Sequence, residues 1–189
     1  VGCKAAVFLA LAALIEPGVE VLIPDPCWDS YSHTVEFFGG AVRTYTLDQA
    51  FQPDPESIER MVSPRTRVIV VVSPHNPTGA VWHRQRLEAI AEIAYRHDLV
   101  VISDEIYEKI IYGDAEHVSI ASLPGMTERT LVINGFSKAY AMDGWRIGYA
   151  AGAPWLVKAM LKAHQYTTNC VTTFVQWAAV EAYDGPQDT

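Results

Sequence analysis

The chain has 189 residues, half of them apolar and only 19% charged. That balance supports one sizeable core and excludes a globally disordered chain. With 22 acidic against 14 basic residues the formal charge is −8, the wrong sign for a duplex-binding surface, so nucleic acid is not an expected partner.

The chain opens on Val1 and enters a helix almost at once, so it reads as a fragment or a processed piece. Residues 5–15 (AAVFLALAALI) are wholly apolar but fall short of the about 20 needed to span a bilayer. Glu16-Pro17-Gly18 then stops the helix, and no small-x-small cleavage site follows. The segment therefore reads as a buried core helix rather than a signal sequence, and no membrane is expected as a partner. Val21-Leu22-Ile23 predicts a strand, 28–38 and 55–61 predict helices, and Val68 to Val72 predicts a second strand. In 84–97, Leu87, Ile90, Ala91 and Ala94 form the stripe of an amphipathic helix. Leu99 to Ile102 and Leu131-Val132-Ile133 predict two more strands, and 154–164 a further helix. The strands are apolar on both faces, as parallel strands covered by helices are. The fold class expected is α/β: an open, mostly parallel sheet with helices on both faces.

The residues of chemical interest follow the strands. Ile23 leads to Pro24-Asp25-Pro26-Cys27-Trp28, and Val72 to Ser73-Pro74-His75-Asn76-Pro77-Thr78-Gly79. Ile102 leads to Ser103-Asp104-Glu105-Ile106-Tyr107, and Ile133 to Asn134-Gly135-Phe136-Ser137-Lys138. Ligands of open α/β sheets sit outside the carboxyl ends of the strands, so Trp28, Asn76, Asp104, Tyr107 and Lys138 are expected to face one cleft. Gly2-Cys3-Lys4 opens a helix and offers backbone N–H groups to an anion. Arg146, eight residues past Lys138, adds a fixed positive charge. A lysine can form a Schiff base with a carbonyl, and an aspartate can keep a pyridine nitrogen protonated. With an aromatic cover and an anion grip, these needs describe pyridoxal 5′-phosphate (PLP) better than other common cofactors. Cys3, Cys27 and Cys170 form no CxxC pair or metal spacing, and the six histidines show no HExxH. No metal is expected, and the sparse, odd cysteine count fits a cytoplasmic protein.

Three segments carry a family resemblance: Ser73 to Gly79, Ser103 to Tyr107, and Phe136-Ser137-Lys138-Ala139-Tyr140-Ala141-Met142-Asp143-Gly144-Trp145-Arg146-Ile147-Gly148-Tyr149. In this order and spacing the chain resembles the fold-type I PLP-dependent aminotransferases, class I/II, and within them the bacterial and archaeal aspartate aminotransferase subgroup. The resemblance covers essentially the whole chain. It implies that Lys138 holds PLP covalently and shuttles the proton between the substrate Cα and the cofactor. It implies that Asp104 pairs with the pyridinium nitrogen, and that Tyr107 and Asn76 donate to the phenolate oxygen. Trp28 would stack on the ring, with Ile106 on its other face. Arg146, Gly2, Cys3, Lys4 and Ser137 would serve the phosphate.

The sequence departs from the subgroup at three places: Gly135 where a serine hydroxyl commonly meets the phosphate, Cys27 where tyrosine is common, and Asp143 where threonine is common. The phosphate contact at Gly135 is then absent, or comes from Ser137 or water. The resemblance further implies substrates that are amino acids (aspartate or similar) and 2-oxo acids such as 2-oxoglutarate, and a homodimer. Residues 1–189 would be an incomplete large, PLP-binding domain. The N-terminal arm and the C-terminal small domain with its substrate-carboxylate arginine would be absent, leaving about half an enzyme, inactive alone.

The same residues admit rival readings. Val100 to Glu105 looks like a Walker B strand, but neither GxxxxGK[ST] nor GxGxxG occurs. The same scaffold also serves carbon–sulfur β-lyases, aminocyclopropane carboxylate synthases and the PLP-binding sensor domains of transcription regulators. The last would carry a basic helix-turn-helix segment elsewhere in the protein.

Overall fold

The computed structural model describes residues 1–187. In chain order they form α1 (Gly2–Leu14), β1 (Glu20–Asp25), α2 (Ser30–Phe37), β2 (Ala41–Thr46), α3 (Pro55–Met61), β3 (Thr66–Val72), α4 (Arg84–Arg96), β4 (Val100–Asp104), β5 (Thr130–Gly135), β6 (Gly148–Gly152), α5 (Pro154–Thr167) and α6 (Thr173–Asp184). The strands build one sheet in the order β2-β1-β3-β4-β5-β6. Every neighbouring pair is parallel except β5 with β6, which is antiparallel. The expected α/β sheet is present.

Alternation along each strand sends side chains to two helical layers. Val21, Ile23, Val68, Val70 and Val72 pack with residues of α1, α2 and α5. Leu22, Ile69, Val71 and Val101 pack on the other face with Ile58 of α3 and Leu87 and Ile90 of α4. The apolar character of α1 follows from its place: it lies against β5, β6, α2 and α5. Local signals set some helix starts. Asp54 caps α3 by accepting from Glu56 N at 3.1 Å, with Pro55 at the first helical position.

Two strands were not anticipated, β2 and β6, and both lie at sheet edges. Ala41–Thr46 is largely open to solvent and mixes polar residues into its run. Gly148–Gly152 is glycine and alanine around one tyrosine, without the bulky apolar run that marks a central strand.

Register brings the functional ends level. Val72 pairs with Asp104, and Asp104 with Ile133, so β3, β4 and β5 end at one edge of the sheet. Because β6 runs backwards, Gly148 sits opposite Gly135. The connection 136–147 therefore leaves and returns at that same edge. Among the described residues no helix is long and apolar enough to cross a membrane.

Candidate active site

Beyond those strand ends lies a cavity of about 390 Å³. Every sequence-predicted site residue except Gly2 lines it, as do Ile106 and Asp143. The residues reach it from four strand ends and one helix start, so the topology brings together what the sequence scatters.

Asp104, the last residue of β4, is 4% exposed. Its Oδ2 accepts from the Tyr31 hydroxyl at 2.6 Å, and its Oδ1 from the Ile106 backbone N–H at 3.2 Å. Burial pushes its carboxyl above the usual range. The two donors draw it back, and neighbouring Glu105 adds repulsion. Glu105 points elsewhere: Ser103 Oγ and Ser119 Oγ donate to its Oε1 at 2.8 and 2.7 Å, and His117 Nε2 lies 3.1 Å from its Oε2. Glu108 joins Glu105 and His117 as a possible ligand cluster by proximity alone. The hydrogen bonds on Glu105 mark it as an anchor for the turn after β4.

Asn76, in the turn after β3, donates from Nδ2 to the Tyr107 hydroxyl at 3.4 Å. Lys138 Nζ stands 5.7 Å from the centre of the Tyr107 ring. Trp28 meets the Tyr31 ring edge-on at 5.4 Å, and Lys4 Nζ lies 5.2 Å from the indole centre. The cavity thus brings together two amines, a buried carboxylate and three aromatic rings.

The remaining wall is built for an anion. No side chain caps the start of α1, so its first amide groups lack an intrahelical partner. Arg146 adopts a left-handed backbone (φ 53°, ψ 47°), and its Nη1 donates to the Asp143 carbonyl at 2.7 Å. Gly2 has φ +71°, and a Cβ there would lie 2.8 Å from Arg146 Nη2. Glycine therefore lets the guanidinium close on the helix start. Gly2 itself faces a smaller, largely apolar cavity of about 170 Å³ against α5 and β6. Its part at the anion wall is to make room rather than to line it.

Cys3 also has a packing role. Its Sγ donates to the Asn134 carbonyl at 3.1 Å, and burial pushes the thiol up to about 12. A Cβ on Gly135 would stand 2.7 Å from that sulfur and 2.8 Å from the Gly148 Cα. The space a serine side chain needs at position 135 is taken by Cys3 and β6, while Ser137 lines the cavity. His75 is buried: its ring stacks on Trp82 at 5.5 Å, and Nδ1 lies 2.8 Å from Thr78 Oγ1. Sequence reasoning missed Tyr31. Its only signal was its place three residues beyond Trp28 in a segment read as helix.

Fold and site together define an open α/β sheet carrying a lysine, a buried carboxylate and an anion cradle at its strand ends. The profile for "Aminotransferase class I and II" matches residues 1–189, and the chain belongs to that family. It is 44% identical over 185 residues to an aspartate aminotransferase of Pyrococcus abyssi, covering 96% of this chain and 47% of that protein. To an aspartate/prephenate aminotransferase of Thermus thermophilus it is 46% identical, with the same two shares. Among solved structures it resembles an aromatic aminotransferase from Pyrococcus horikoshii, with a TM-score of 0.95 and 42% identity. That match covers 98% of this chain and 50% of the other. The chain spans about half the length of the relatives it matches.

Proposed function

We propose that the full-length protein is a PLP-dependent aminotransferase, and that residues 1–189 are its incomplete large, cofactor-binding domain. It would move the amino group of an L-amino acid, aspartate or similar, to a 2-oxo acid such as 2-oxoglutarate. The observation that carries this reading is that Lys138, Asp104 and the Arg146–α1 wall share one cavity. The residues fit the cofactor. Asp104 is a buried carboxylate satisfied only by neutral donors on the described side, as a partner for a protonated ring nitrogen should be. The glycine-cleared guanidinium at a helix start suits a phosphate.

When bound, PLP supplies an aldehyde that exchanges amines and a ring that accepts electrons. Lys138 would hold that aldehyde through Nζ and would carry the proton to and from the substrate Cα. Asp104 would keep a proton on the ring nitrogen. Tyr107 and Asn76 would stabilise negative charge on the ring oxygen by donating to it. Trp28 and Ile106 would hold the ring, and Arg146, Ser137, Lys4 and the first amides of α1, Cys3 included, would grip the phosphate. The relatives' names span aspartate, prephenate and aromatic substrates, which supports the reaction class more firmly than the side chain chosen. The same reading makes the protein cytoplasmic and homodimeric.

The full-length protein with PLP should show the visible absorbance of a lysine-bound cofactor. It should convert a 2-oxo acid to a new amino acid, with no release of pyruvate and ammonia such as a lyase gives. Lys138→Ala should lose both absorbance and transamination, and undiminished turnover in that variant would refute the assignment. Asp104→Ala should still bind PLP yet lose most activity, by at least about 100-fold if a charge-assisted contact of about 3 kcal/mol is removed.

A further inference from the structure

Two tyrosines of the sheet region, Tyr31 and Tyr45, are almost wholly buried, and their hydroxyls go to different kinds of partner. Tyr45 donates to the Val70 carbonyl at 2.8 Å, the ordinary way for a core tyrosine to satisfy its polar end. Tyr31, in the first turn of α2, donates to a carboxylate of the site instead, Asp104 Oδ2 at 2.6 Å. Its ring meets Trp28 edge-on. We propose that Tyr31 is a positioning residue of the aminotransferase site, fixing Asp104 through its hydroxyl and Trp28 through its ring. This rests on the function proposed above.

The two contacts separate chemically. A short bond from a neutral hydroxyl to a carboxylate is charge-assisted. It leaves Asp104 with both oxygens satisfied on the protein side, Oδ1 by Ile106 and Oδ2 by Tyr31, and it fixes the plane of the carboxylate. Without the hydroxyl, burial favours the protonated acid, which cannot hold a proton on a ring nitrogen. The phenol stays a donor, because burial and the adjacent Asp104 push it well above its usual range. The ring contact is independent of the hydroxyl: a phenylalanine keeps it and a leucine does not. Among the described residues, the other ionisable groups around Asp104 and Tyr31 are Glu105 beside Asp104, Cys3 on α1, Cys27 after β1, Tyr107 after β4, and Lys4, Lys138, Asp143 and Arg146 at the cavity wall. None of them changes in a Tyr31 variant.

The test uses the full-length protein as wild type, Tyr31→Phe, Tyr31→Leu and Asp104→Ala. PLP affinity is read by fluorescence quenching, and kcat and KM across a pH series. Tyr31→Phe should bind PLP within about threefold of wild type. Its kcat should fall about 10-fold with KM little changed, and the acid limb of its kcat profile should move about one pH unit upward. Tyr31→Leu should in addition bind PLP about 10-fold more weakly. A wild-type profile in Tyr31→Phe overturns the proposal. So does a kcat loss that is equal at every pH, because that is the mark of a structural role. If wild type takes up no PLP, or Asp104→Ala is fully active, the aminotransferase reading itself fails. An unperturbed Tyr31→Phe beside an inactive Asp104→Ala strikes Tyr31 alone.

Discussion

Asp104 and Glu105 are neighbours in sequence with opposite assignments, and their donors separate them. Asp104 keeps one face toward the cavity, whereas Glu105 is engaged by two serines and a histidine behind the turn. His75 illustrates a group kept neutral by burial, its pKa lowered to about 4. Its Nδ1 meets Thr78, and the Pro26 backbone is its other polar neighbour. The unfolded chain takes up this proton near pH 6.5, well before the folded one does. Stability from His75 is therefore full above about pH 6.5 and is lost as pH falls toward 4. Between pH 7 and 5 the loss is roughly 2 kcal/mol. Urea unfolding of the full-length protein at those two pH values should show a drop in stability that is smaller by about that amount in His75→Asn. At this scale the sequence was most legible where a residue belongs to a contiguous motif, as Asp104, Asn76 and Lys138 do. Tyr31 was opaque because its meaning is a single bond across 73 positions, and nothing local distinguishes it from any core tyrosine.

Among the elements, a close fit joins the start of α1, the end of β5 and the start of β6. Gly135, Gly148 and Cys3 meet with no room for an added carbon. Gly135→Ser should therefore lower stability by about 2 kcal/mol through overpacking, read as a shift in the urea midpoint of the full-length protein. Adding Cys3→Ala should recover only part of the loss, because the Gly148 backbone blocks the same space as the sulfur. The strands carrying long apolar runs were evident from sequence. β2 and β6 were not, because neither carries an apolar run: β2 mixes Arg and Thr with Val and Tyr, and β6 is glycine and alanine around one tyrosine. The anion wall was legible in its parts, a glycine at a helix start and an arginine eight residues past a lysine. Their meeting depends on β6 turning back, which no local pattern announces.

Over the whole molecule, the apolar surface is uneven. Trp155, Tyr166, Phe174 and Trp177 of α5 and α6 are half to nine-tenths exposed, a large amount of aromatic surface for a solitary soluble domain. Residues 1–189 expressed alone should accordingly self-associate and bind a hydrophobic dye. The full-length protein should give a single species in sedimentation velocity with little dye binding. A monodisperse, dye-silent isolated chain would contradict this.

The connection 136–147 carries Ser137 and Lys138 near its start and Arg146 near its end, both ends pinned by the β5–β6 pairing. The span between the amine and the guanidinium is thus bounded by covalent chain length and one hairpin register, with Phe136 and Ile147 packed against α6. Slippage of α1 or α5 over the sheet would leave that gap intact. One residue inserted between Lys138 and Arg146 would misplace one grip relative to the other with every catalytic side chain still present.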